Sequence, residues 1–98
     1  MNNMEKKMAS LENFSRLGYG AEFIYLKPDG SLSVRTVLPQ KIEVSAKGDP
    51  SVVCYDLARR ALRKYRIDRI QGEIIIHQKP PEGYDSEQFA IEEVKLNG

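Results

Sequence analysis

Two β-rich runs facing each other across a tight turn constrain this chain more than any other feature. In AEFIYLKPDGSLSVRTVLP, the runs Glu22–Leu26 and Leu32–Leu38 flank KPDG, a turn with proline at its second position and glycine where a positive φ is wanted. A β-hairpin is predicted, with Pro39 ending its second run. KIEV, Lys41 to Val44, alternates and reads as a short third strand, and SAKGDPS as a loop. GEIIIHQK supplies a further strand, Glu73 to Gln78.

The segment before the hairpin has a different period. Met4, Met8, Leu11, Phe14 and Leu17 recur at spacings of three and four, so they share one face of a helix that starts at Met4 or Ser10 and ends at Leu17. Gly18 is its expected C-cap. The methionine stripe is expected to pack on the rest of the domain; the alternative is a partner-binding face.

The stretch YDLARRALRKYRIDRI, Tyr55 to Ile70, is ambiguous by local physics. Val53, Leu57, Ala61 and Tyr65 step by four among good helix formers, which favours a helix over residues 51–65. Against this, Val52, Val53 and Tyr55 suit strands, and Tyr65 and Ile67 alternate with Lys64 and Arg66. The turn that two strands would need falls at LARRA, which holds neither Gly nor Asn. Propensity alone leans to the helix.

Ninety-eight residues form one domain, with a lead-in helix over 1–18, a β-rich body over 21–79 and a loop and C-terminal segment over 80–98. A net charge of +1 gives no whole-molecule field, so any electrostatic signal must come from distribution. The distribution is uneven: six of the fifteen Lys and Arg residues fall between Arg59 and Arg69, against one acid, Asp68. A single cysteine, Cys54, rules out an internal disulfide framework and fits a reducing cytoplasm. No signal peptide is visible, and no apolar run approaches the ~20 residues of a membrane span. The C-terminal EQFAIEEVKLNG reads as a short helix capped by Asp85 or Ser86.

The order of these pieces resembles the WYL domain family. Phe23 and Tyr25 in FIY, the Asp29-Gly30 turn, Arg35, Val37 and Pro39 in RTVLP, and Cys54-Tyr55-Asp56 in CYD all match its pattern. The most specific block is RKYRIDRI, Arg63 to Ile70. The resemblance implies a small Sm-like or SH3-like β-barrel, mainly β within an α+β class, with CYD and RKYRIDRI on neighbouring strands. It therefore replaces the helix over 51–65 with a hairpin. The tripeptide that names the family is not kept, for its positions read Pro50-Ser51-Val52. Family members usually carry a DNA-binding or helicase domain, whereas this chain is expected to be free-standing.

On a strand, Arg63, Tyr65, Ile67 and Arg69 share one face, unless a bulge near Asp68 shifts the last of them, and Lys64 and Arg66 lie on the other. Arginine grips phosphate through two hydrogen bonds and stacks on flat rings. Interleaved with tyrosines on a β-surface, it suits single-stranded nucleic acid. The resemblance implies the same ligand class, nucleic acid or a nucleotide, with the arginines of the last block among its contacts. Arg63 and Arg66 are the foremost candidates, followed by Arg69, with Arg35, Tyr55, Tyr25 and Lys64 beside them. The plainer reading makes the run a solvated surface in which Arg69 pairs with Asp68 or Asp56.

The remaining chemistry is sparse. His77 has no nucleophile or carboxylate placed near it by sequence, Cys54 reads as a buried inert thiol, and Glu82, Asp85 and Glu87 as solvated acids. A non-enzymatic binding module without cofactor or metal is expected. The alternative is a protein–protein adaptor or homodimer without a nucleic-acid ligand; either is compatible with a role in a larger nucleic-acid-processing complex.

Overall fold

The structure, a computed structural model, describes residues 2–77. Its elements run α1 (Asn3–Leu17), β1 (Gly20–Leu26), β2 (Leu32–Val44), β3 (Pro50–Asp56), β4 (Ala61–Arg66), one 3-10 turn η1 (Ile67–Arg69) and β5 (Ile70–His77). The class is mainly β with a lead-in helix, as expected. The strands form one antiparallel sheet in the order β4-β3-β2-β1-β5, and η1 carries the chain from one end of it to the other. The predicted C-terminal helix and the acids Glu82, Asp85 and Glu87 lie outside the described residues.

Both ends of α1 follow from single residues. The Asn2 side chain accepts a hydrogen bond from the Glu5 backbone N–H at 2.8 Å, satisfying one of the orphan donors of the first turn. Gly18 takes the left-handed conformation at φ 71°, and Tyr19 N–H donates to Phe14 O while Gly18 N–H donates to Ser15 O. These two bonds close a Schellman motif. The helix buries Leu11 completely and lays Met4, Met8 and Phe14 against the same core, so the methionine stripe is a packing face. Leu17, grouped with that stripe by spacing, is half exposed.

The β1–β2 hairpin forms as predicted, with Gly30 at φ 88° in its turn. Pro39 does not end β2. The strand continues through it to Val44, which merges the two predicted runs, and the ladder to β3 slips by one residue between Pro39 and Lys41. A proline has no N–H to give a ladder, and a bulge beside it removes the demand for one. The carbonyl of the bulged Gln40 accepts a hydrogen bond from Ser15 Oγ, which ties α1 to the sheet at that point.

Residues 51–70 are two strands and not a helix. β3 and β4 pair from Asp56 opposite Ala61 to Ser51 opposite Arg66. The turn that lacked Gly or Asn is built in another way. Asp56 Oδ1 accepts from Arg59 N–H at 3.0 Å, Asp56 O accepts from Arg60 N–H at 2.8 Å, and Arg60 itself takes φ 52°.

Alternation along the strands gives the sheet an inner face that carries the core. Ala21, Phe23 and Tyr25 of β1, Val37 of β2, Val52 and Cys54 of β3, and Tyr65 of β4 meet Leu11, Ile67 and Ile70 there. Phe23, Tyr25 and Tyr65 pack as an aromatic trio with centroids 4.8–6.4 Å apart and tilted or edge-on rings. Burying a ring the size of Phe23 contributes roughly 1.5–3 kcal/mol.

Candidate anion-binding site

The register decides which cations share a face. Arg63 lies opposite Cys54, and Tyr65 opposite Val52. Because Val52 and Cys54 are fully buried, Arg63 and Tyr65 belong to the inner face, and Lys64 and Arg66 to the outer one. On β2, Arg35 lies opposite Phe23, and Val37 opposite Asp56, so Arg35 and Asp56 are also inner-face residues.

This end of the inner face carries an unusual polar group. Arg35 is only 6% exposed, and its Nε and Nη1, shielded from solvent, have no hydrogen-bond partner among the described residues. Its guanidinium carbon lies 5.4 Å from the centroid of the Tyr65 ring. That cation–π contact offsets only part of the cost of burying the charge. Asp56 is fully buried and better satisfied. Its Oδ2 accepts from Tyr65 Oη–H at 2.6 Å, its Oδ1 accepts from Arg59 N–H, and Arg59 Nη1 approaches both oxygens at 3.3 and 3.5 Å. Burial, and then the bond to Asp56, push the Tyr65 hydroxyl well above its ordinary value. It stays a proton donor at physiological pH.

Arg63 emerges from the same face exposed, and its side chain engages no acceptor among the described residues. Arg59 and Arg60, on the turn beside it, are exposed as well. Arg59 holds the Asp56 carboxylate, and Arg35 lies against the ring of the tyrosine bonded to it. Arg63 shares their face of the sheet from β4, with β3 between it and the β2 of Arg35. Neither Asp56 nor Arg59 stood among the predicted contacts. Their signal in the sequence was the lone acid of the CYD block, three residues before an arginine.

The other predicted contacts are placed elsewhere. Arg66, on the outer face, holds Asp68 in a fork with Nε–Oδ1 at 3.0 Å and Nη2–Oδ2 at 2.6 Å, and Asp49 lies 3.6 Å away. Those acids hold its guanidinium above its ordinary value. Lys64 pairs with Glu43 at 2.7 Å. Arg69 pairs with neither Asp68 nor Asp56; its Nη1 donates to Leu26 O at 3.2 Å and fastens the β4–β5 junction to the first hairpin. Tyr25 is a core ring whose hydroxyl accepts from Arg66 N–H at 3.2 Å. Tyr55, opposite Leu62 and Leu38, is buried on the outer side of the sheet. Arg63 and Arg66, the two foremost candidates, thus lie on opposite faces of the sheet, as strand alternation predicts, and do not form one surface.

Cys54 is fully buried, and desolvation, with the nearby Asp56 charge second, raises its thiol far above the usual range. His77 Nε2 lies 3.5 Å from Glu22 Oε1 at the end of β5. No cluster of His, Cys, Asp and Glu that could hold a metal occurs among the described residues. No helix among them is long and apolar enough to cross a membrane.

The family model of the WYL domain matches residues 10–73, well over half of the chain and the whole of the site. The chain belongs to the WYL domain family. The fold is similar to that of proteasome accessory factor B/C (PafBC) of Arthrobacter aurescens, with a TM-score of 0.71 and 17% identity. That match covers 85% of this chain and 13% of the other, so this WYL domain corresponds to a small part of that protein's length. Among curated proteins nothing matches. WYL domains are regulatory, ligand-sensing modules. At the positions of the naming tripeptide, Pro50 opens β3, Ser51 is buried opposite Arg66, and Val52 fills the core opposite Tyr65.

Proposed function

We propose that this WYL domain is a non-enzymatic regulatory module that recognises single-stranded nucleic acid or a nucleotide at the inner-face cluster of Arg35 and Arg63. The observation that carries the reading is Arg35: a buried arginine with two nitrogens unpartnered among the described residues, with an exposed arginine, Arg63, on the same face of the sheet. A charge buried without a hydrogen-bonded counterion is costly, and a bound anion is the partner that would offset it. In this reading Arg35 supplies a standing positive potential, Arg63 makes the direct phosphate contact, and the exposed turn residues Arg59 and Arg60 widen the positive surface. Arg66 and Lys64 contribute little, because each must first leave a carboxylate on the opposite face.

Fluorescence anisotropy with labelled RNA and DNA oligomers at low salt tests this. Arg63→Ala is expected to weaken binding roughly tenfold, the scale of one hydrogen bond to a charged group. It should also flatten the salt dependence by about 0.7 in the log–log slope, as for one lost contact to a single strand. Arg66→Ala should leave both nearly unchanged. A folded wild-type chain that binds no oligomer or nucleotide at low salt overturns the reading.

One observation favours a rival, a homodimerisation module without such a ligand. On the outer face, Ile24 opposite Val34 and Leu26 opposite Leu32 form a strip in which Ile24, Val34 and Leu32 are 43–63% exposed.

A further inference from the structure

We propose that Arg59 is a further anion-contact residue, parked on Asp56 in the free protein, and that Asp56 sets the affinity of the site by competing with the ligand for it. The inference rests on the inner-face reading above and concerns how that site is regulated.

Three features of the geometry support it. First, the Arg59–Asp56 pair is loose. Its Nη1 contacts at 3.3 and 3.5 Å are long beside the ~2.7–2.9 Å of a good charge-assisted bond, and the Arg59 side chain is 36% exposed. Second, Asp56 does not need that side chain. Oδ2 keeps Tyr65 Oη–H at 2.6 Å and Oδ1 keeps the Arg59 backbone N–H at 3.0 Å, so the guanidinium can swing away without stranding a buried carboxylate. Third, the same carboxylate holds the hydroxyl of Tyr65, the ring against which Arg35 lies, so Arg59 and Arg35 are linked through Asp56 and Tyr65. A phosphate arriving at Arg63 offers Arg59 a stronger acceptor than the one it holds.

The motion required is small. Arg59 lies in the β3–β4 turn, whose backbone is held by Asp56 and by Leu57 N–H donating to Thr36 O at 3.0 Å. Only the side chain has to change rotamer, and exposed side chains do so in nanoseconds or less. Free protein and complex then differ in which anion Arg59 serves: the internal carboxylate or the external phosphate. Asp56 is a positioning residue here and touches no ligand.

Removing the internal competitor tests this. A short fluorescein-labelled oligodeoxythymidylate is titrated against wild type, Asp56→Asn, Arg59→Gln and the double variant, with thermal melts to confirm folding. Asp56→Asn keeps the size of the side chain and an acceptor for Tyr65 but gives up the charge. It should bind severalfold more tightly than wild type, whereas a merely structural Asp56 predicts weaker or equal binding. Arg59→Gln, at an exposed position that does not threaten folding, should bind several-fold more weakly and reduce the salt slope by about 0.7. The double variant should lose the gain made by Asp56→Asn. Wild-type binding with no change in affinity or salt slope on Arg59→Gln overturns the proposal while leaving the Arg35/Arg63 reading intact. A gain from Asp56→Asn that survives Arg59→Gln overturns it as well. A wild-type chain that does not bind the oligomer at all removes both.

Discussion

Arg35 and Asp56 show how two buried charges on one face come to differ in role. Asp56 is held by a tyrosine hydroxyl and a backbone N–H, which makes its burial affordable. Arg35 has a ring at 5.4 Å and two donors without a partner among the described residues. A residue that only stabilised the fold would be improved by an apolar side chain of similar length, because replacing a poorly compensated buried charge is often neutral or stabilising by about 1–4 kcal/mol. Arg35→Met is therefore expected to leave thermal stability unchanged or raised, while weakening oligomer binding at least as much as Arg63→Ala. Differential scanning calorimetry and anisotropy on the same sample check both halves. A lower midpoint with unchanged affinity would make Arg35 a structural residue. At this scale the sequence was partly legible. The alternation of RKYRI placed Arg63 with Tyr65 and apart from Lys64 and Arg66 correctly, since strand periodicity is local. Which acid each base holds was not legible, because Asp49, Glu43 and the Leu26 carbonyl reach their partners only through the folded sheet.

Elements were legible where one local signal dominated and obscured where two competed. KPDG specified its turn, and Gly18 specified the end of α1. Residues 51–65 carried both signals and leaned to a helix by propensity, yet β3 and β4 form because their inner faces bury Val52, Cys54 and Tyr65 in the core. The missing turn signal was Asp56, whose side chain does the work usually left to an Asn or Gly. Pro39 misled for a related reason: its cost to a ladder is real, but one bulged residue removes it. The caps, by contrast, act independently of the sheet. Gly18→Ala forces a Cβ into the left-handed region with nothing within 4 Å to blame but the backbone itself. It should lower stability by about 1 kcal/mol without altering binding. Urea melts monitored by circular dichroism provide the check, and a loss well above that value would mean the end of α1 holds more of the sheet than its cap.

For the molecule as a whole, the sheet separates two chemistries that the sequence interleaves. The inner side carries the core and, at one end, Arg35, Asp56, Arg59 and Arg63; the outer side carries the ion pairs of Lys64 and Arg66 and the apolar strip of Ile24, Leu32 and Val34. Alternation on a single antiparallel sheet makes this separation unavoidable, and it gives the two functional readings different addresses. A two-dimensional NMR titration tells them apart in one sample. With a short oligonucleotide added, backbone shifts are expected at Arg35, Arg63, Tyr65 and the turn residues 57–60, with Lys64 and Arg66 nearly silent once the effect of their bonded neighbours is subtracted. On dilution without oligonucleotide, the dimer reading predicts shifts at Ile24, Leu32 and Val34 instead. Shifts at Lys64 and Arg66 as large as those at Arg63 would place the ligand on the outer face, because only an anion able to displace Asp68, Asp49 and Glu43 together could produce them.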